Sequence, residues 1–211
     1  LLINYPHVLY LIILMKKALA DAENLLIFKM DYNNFYLNYS NSISNLLKEV
    51  NIDLIEKTVD LILKTNSSNN STYIVGNGGS ASIASHVSVD LAKVSNIKSA
   101  TFNNANLITC FANDYGYEHW VKEAIKAYCA NNDLVILISS SGKSNNIINA
   151  AKYCTETSMN LITFSGFDNN NELNQLGKIN FHVNSKDYNH IEMVHNIILL
   201  SIVDILKQKK L

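Results

Sequence analysis

Five consecutive strand-forming residues, Leu134-Val135-Ile136-Leu137-Ile138, run straight into Ser139-Ser140-Ser141-Gly142-Lys143-Ser144. A strand that is apolar at every position has no polar face, so it belongs at the centre of a parallel sheet, buried on both sides. Beyond the serines, Ile147, Ile148, Ala151 and Tyr153 mark a helix. Strand, small hydroxyl-rich turn and helix N-terminus in succession gather free backbone N–H groups, serine hydroxyls and the positive end of a helix dipole at one point. An anion fits such a point, most economically a phosphate. Taken alone, the stretch also fits a serine-rich turn that caps a helix. A second loop of the same kind, Gly76-Asn77-Gly78-Gly79-Ser80, follows Tyr73-Ile74-Val75 and favours the anion.

Around these two loops the chain alternates. Two amphipathic helices are predicted over 33–64: Leu37, Ile43, Leu46 and Leu47 mark the first, and Leu54, Ile55, Val59, Ile62 and Leu63 the second, with Asn51 as its N-cap. Helices are expected at 81–93, 103–112, 117–130 and 190–207, the last long and apolar. Further strands are expected at 97–102, 160–165 and 179–183, with Asn113-Asp114-Tyr115-Gly116 as a turn. This order predicts an α/β fold, a doubly wound parallel five-stranded sheet preceded by N-terminal helices. Ligands of such sheets bind beyond the carboxyl ends of the strands, at a switch in strand order. Both glycine/serine loops lie there.

Several functions are excluded. Gly76-x-Gly78-x-x-Ala81 matches the dinucleotide fingerprint, but the second strand has no Asp or Glu at its end to hold a ribose. Gly142-Lys143-Ser144 matches the end of a Walker loop, but Leu137 stands where its leading glycine belongs. A net charge of −1 argues against nucleic-acid or anionic-membrane partners. All 17 basic residues are lysines, so amides, hydroxyls and lysine must hold any phosphate, without a guanidinium fork. Cys110, Cys129 and Cys154 are too widely spaced for a redox pair or zinc knuckle; reduced thiols and a cytoplasmic location are the default, with Cys110 expected in the core. Residues 1–30 fit the pattern least. The apolar run 8–14 is too short to cross a bilayer and precedes its lysines, Lys16 and Lys17, instead of following a basic segment. It is read as an extension, either an over-extended reading frame starting naturally at Met15 or Met30, or an added helix, ahead of one domain over 31–211.

Taken together, GNGGSA with His86 and Asp90 behind it, Asn113-Asp114-Tyr115-Gly116, and Ile138 to Ser144 resemble the SIS (sugar isomerase) family, and within it the phosphoheptose isomerases. The resemblance runs over 32–206 in matching order. It implies a flavodoxin-like core and a homotetramer, with a helical pair at the interface and active sites shared between subunits. It also implies aldose–ketose isomerisation of sedoheptulose 7-phosphate or a related sugar phosphate, for surface-polysaccharide heptose. By the same resemblance Asn77, Gly78 and Ser80 contact the sugar phosphate, Ser139, Ser140, Ser141 and Ser144 cradle the phosphate, and Asp114 lines the sugar. As a bare residue, Asp114 would also suit a helix cap.

His86 and Asp90 share a helix face; alone they read as a surface ion pair. By resemblance Asp90 stands where the family has a catalytic glutamate. Glu192 stands at a family glutamine and His195 at a family histidine. The family's second acid/base histidine falls on Leu200, and leucine cannot carry a proton. Enediol chemistry needs one group to move a proton between carbons and another for the oxygen-bound protons. Asp90 is the candidate for the first, Glu192 and His195 for the second; the competing reading of Glu192 and His195 is a polar patch on a buried helix. Some family members bind zinc at positions matching His86, Asp90, Glu192 and Leu200, so three of four ligands remain. Leu200 keeps a second function open: a non-catalytic SIS protein that binds sugar phosphate as a regulator or scaffold.

Overall fold

The computed structural model describes residues 10–19 and 30–209. Residues 1–9 and 20–29 lie outside the described residues, and with them most of the segment read as an extension. The chain divides into two units, Leu1–Asn41 and Ser42–Leu211. In the first, residues 10–19 form helix α1, and α2 (Tyr32–Lys48) begins with exposed Tyr32, Phe35, Tyr36 and Leu37.

The second unit holds the sheet. After α3 (Ile52–Ser67), capped by Asn51 accepting from the Asp53 N–H, the order is β1 (Thr72–Gly76), α4 (Gly79–Lys93), β2 (Ser99–Thr101), α5 (Ala105–Tyr115) and α6 (Trp120–Tyr128). There follow β3 (Leu134–Ile138), α7 (Asn145–Glu156), β4 (Asn160–Gly166), a 3₁₀ turn (Leu173–Gln175), β5 (Ile179–Val183) and α8 (Tyr188–Gln208). All four strand pairings are parallel and the spatial order is β2-β1-β3-β4-β5. This is the flavodoxin-like doubly wound order, whose switch point lies between β1 and β3.

β3 shows why an uninterrupted apolar run belongs here. Successive side chains point to opposite faces. Leu134, Ile136 and Ile138 therefore join the core with Ile62, Ile83, Leu91, Ile198 and Ile202 of α3, α4 and α8. Val135 and Leu137 join the core on the other face, with Trp120, Ile125, Ile147 and Ala151 of α6 and α7. Each such buried side chain stabilises the fold by about 1.5–3 kcal/mol. The strand is fixed by both faces at once, and the loop at its end inherits that rigidity. By length and composition α8 could cross a membrane, but Ile191, Val194, Ile198, Leu199, Ile202, Val203 and Leu206 are buried in this core.

Three sequence expectations are corrected. The strand expected over 97–102 shrinks to Ser99–Thr101, because the Ile97 N–H closes the end of α4 on the Leu91 carbonyl and the Asn104 N–H turns back to the Phe102 carbonyl. Asn113, Asp114 and Tyr115 are the last turn of α5, not a separate turn; the helix stops at Gly116, whose φ of +86° suits glycine and whose N–H bonds the Ala112 carbonyl. The next helix starts at Trp120 with His119 at its cap position, so Asp114 caps nothing. Cys110 is exposed on α5, a helix with no fully buried residue, whereas Cys154 is the buried thiol.

Candidate active site

Beyond the carboxyl ends of β1 and β3, two loops converge on a cleft of about 130 Å³. Asn77 and Ser80 line it from the β1 side, Ser139, Ser140, Ser141 and Ser144 from the β3 side, and Tyr188 and Glu192 from α8. Glycines set the geometry. Gly76 is bracketed by the Asn103 amide, which donates to its carbonyl at 2.8 Å and accepts from its N–H at 3.2 Å. Gly78 has φ +54° at the N-cap of α4, and Gly142 has φ +64° in the serine loop, where a Cβ would collide with the Asn171 side chain. Asn171 is itself held by donating to Ser165 Oγ at 3.1 Å and to the Asp168 carbonyl at 2.7 Å.

The serine loop does not merely cap its helix. Ser144 occupies the N-cap of α7, yet its hydroxyl makes no capping bond and instead accepts from Ser139 Oγ at 3.1 Å. Across the cleft the Ser80 and Ser140 hydroxyl oxygens lie 3.4 Å apart, and Ser140 Oγ donates to Glu192 Oε1 at 3.4 Å. The first turns of α4 and α7 contain no acidic residue of their own, and Ser80 and Ser144 at these two helix starts line the cleft. The site offers hydroxyls, amides and the α7 helix dipole to an anion, while the Glu192 carboxylate lies against the first residue of α4.

Tyr188 in the cleft lining, and Asn146 and Tyr117 bonded to the lining residue Asn77, carried no signal in the sequence. Asn77 and Asn146 exchange reciprocal amide hydrogen bonds of 2.9 Å, tying one loop to the other, and Tyr117 Oη donates to Asn77 Oδ1 at 3.3 Å. Tyr188 opens α8 beside them. The pairings span 69 and 40 residues of sequence, beyond the reach of local pattern.

The remaining expected site residues lie elsewhere. Asp114 is exposed, accepting from the Asn113 amide at 2.9 Å, one turn before Tyr117. His86 Nε2 and Asp90 Oδ2 are 3.2 Å apart on the outer face of α4. Asp90 is eleven residues, about 16 Å of helix, beyond Gly79 and the cleft. His195 is turned into the core: fully buried, its Nε2 donates to the Ser165 carbonyl at 3.0 Å and its ring meets Phe164 edge-on. Burial lowers its pKa to about 4, so it stays neutral at pH 7. Leu200 packs against the same core. Within one chain His86, Asp90 and Glu192 are therefore not a zinc site; among the described residues no three His, Cys, Asp or Glu side chains are grouped to hold a metal.

A family model for the SIS domain matches residues 36–166. The chain belongs to the SIS domain family. Among its SIS relatives, a phosphoheptose isomerase of Aliarcobacter butzleri is 32% identical over 138 residues, covering 63% of this chain and 72% of that protein. The solved phosphoheptose isomerase of Neisseria gonorrhoeae shares the fold with a TM-score of 0.76 at 21% identity, over 85% of this chain and 100% of that one. The NanR protein of Vibrio vulnificus, solved with ManNAc-6P, matches with a TM-score of 0.66 at 14% identity, over 90% of this chain and 67% of its own.

Proposed function

We propose that this SIS protein is a phosphoheptose isomerase, an enzyme that interconverts the ketose and aldose forms of sedoheptulose 7-phosphate or a close relative, in the cytoplasm, for surface-polysaccharide heptose. The observation that carries it is the convergence of Ser80, Ser139, Ser140, Ser141 and Ser144 with two helix N-termini in one cleft at the β1/β3 switch point. The phosphate sits on the serine loop, where Ser139, Ser141 and Ser144 hydroxyls and the first N–H groups of α7 neutralise it.

Isomerisation removes a proton from C1 of the ketose as O2 gains one, giving an enediol. A proton then goes to C2 as O1 loses one, giving the aldose. Two groups are needed. Glu192 lies in the cleft and exchanges the oxygen-bound protons. Asp90, held by His86 on an exposed helix face, moves the carbon-bound proton. Because it stands about 16 Å along α4 from its own cleft, it serves the cleft of a neighbouring subunit in a homotetramer. No step is assigned to His195 or to a metal.

Incubating the purified protein with sedoheptulose 7-phosphate, with and without zinc, and following aldose formation by NMR tests this reading. Aldose signals are expected. Binding without turnover would support the second reading, a non-catalytic sugar-phosphate-binding regulator or scaffold, which Leu200 favours. Neither binding nor turnover would overturn both.

A further inference from the structure

We infer that Glu192 divides the cleft into an anion half and a hydroxyl half, so that it accepts monophosphates of otherwise uncharged sugars and rejects phosphorylated sugar acids. The inference rests on the phosphate reading above and adds the class of ligand that the reading leaves open.

The two helix ends at the cleft are not equivalent. At α4, Glu192 reaches in from α8: its carboxylate lies so close to Gly79, the first residue of α4, that a Cβ there would overlap both carboxylate oxygens. Its Oε1 accepts from Ser140 Oγ at 3.4 Å, and Ser140 Oγ is 3.4 Å from Ser80 Oγ. The chain thus places its own anion where the α4 dipole and these hydroxyls would otherwise hold one from the ligand. At α7 no acidic side chain intrudes: the first turn has none, and Ser139 and Ser144 bond each other.

Nor does any lysine among the described residues form an ion pair with Glu192. The lysine ion pairs among the described residues go to Glu123, Glu172 and Asp60. An ionised carboxylate only accepts hydrogen bonds. Beside Glu192 a sugar hydroxyl gains an acceptor, while a second carboxylate on the ligand meets like charge. Two like charges on the order of 6 Å apart at an effective dielectric of about 20 weaken binding by about one hundredfold. Solvent in the open cleft reduces this to at least about tenfold.

Calorimetric titration with inorganic phosphate, a hexose 6-phosphate and the matching aldonate 6-phosphate tests the inference. The native protein is expected to bind the hexose phosphate at least about tenfold tighter than the aldonate phosphate. Glu192→Gln, nearly isosteric, closes that gap, and Glu192→Asp retains it. Ser144→Ala weakens all three ligands alike. A native protein that binds both sugars equally, or a gap that survives in Glu192→Gln, overturns the selector while leaving the phosphate site intact. Failure of the native protein to bind any of the three overturns the phosphate site and the selector together.

Discussion

The cleft at the carboxyl ends of β1 and β3 and the outer face of α4 are both polar, but their polar groups are tied together differently. The cleft's serines bond one another both within the serine loop and across to the other loop, and Asn77 and Asn146 lock those loops together. The α4 face offers the His86–Asp90 pair, with side chains 56% and 29% exposed. Exposed pairs of this kind add about 0.3–0.5 kcal/mol of stability. On the proposed reading, the contrast separates phosphate binding, built within one chain, from proton transfer at carbon, which draws Asp90 from a second.

The largest effect that would sharpen this contrast falls on turnover. Asp90→Asn is expected to lower kcat by about 10²–10⁴-fold while leaving phosphate affinity unchanged. Kinetics paired with a phosphate titration check it, and a parallel loss of phosphate affinity would erase the distinction between the regions.

The next effect separates Glu192 from His195, three residues apart on one helix. His195 has its pKa lowered to about 4 by burial, against about 6.5 unfolded. The native state refuses a proton that the unfolded state accepts, so stability is level above pH 6.5 and falls as pH drops from about 6.5 to about 4. At pH 5 the loss from this group is about 2 kcal/mol. Urea unfolding at pH 7.5 and pH 5 should show it, and His195→Gln should lose about 2 kcal/mol less over the same interval. An identical pH dependence in the variant would mean that the ring does not titrate as a core residue. The smallest effect is that of Ser144→Ala, expected to raise KM by about tenfold with little change in kcat, as removal of one hydrogen bond to a charged group should.

Much of this was legible in the sequence, for physical reasons. The run Leu134–Ile138 has the length and β-branched content of a doubly buried strand, and a serine loop after such a strand lies at the sheet's carboxyl end. Those two facts place the cleft. Periodicity along α8 marks it as apolar but does not say which of Glu192 and His195 faces the sheet's interior. That depends on the Ser165 carbonyl, 30 residues away. Asn146, Tyr117 and Tyr188 were silent because their partners are distant in sequence. Gly116 was misread because a glycine after a polar run signals a turn and a helix stop equally well, and the choice between them is made by the Ala112 carbonyl.

Subunit complementation tests the central claim most directly. Asp90→Asn and Ser144→Ala chains, the first impaired in kcat and the second in KM, are mixed, dissociated and reassembled, and turnover of sedoheptulose 7-phosphate is measured well below the native KM. If one subunit's Asp90 serves the neighbour's cleft, mixed oligomers contain sites in which both Asp90 and Ser144 are native. Turnover should then rise well above that of either parent. Turnover no greater than the average of the two parents would contradict a shared site.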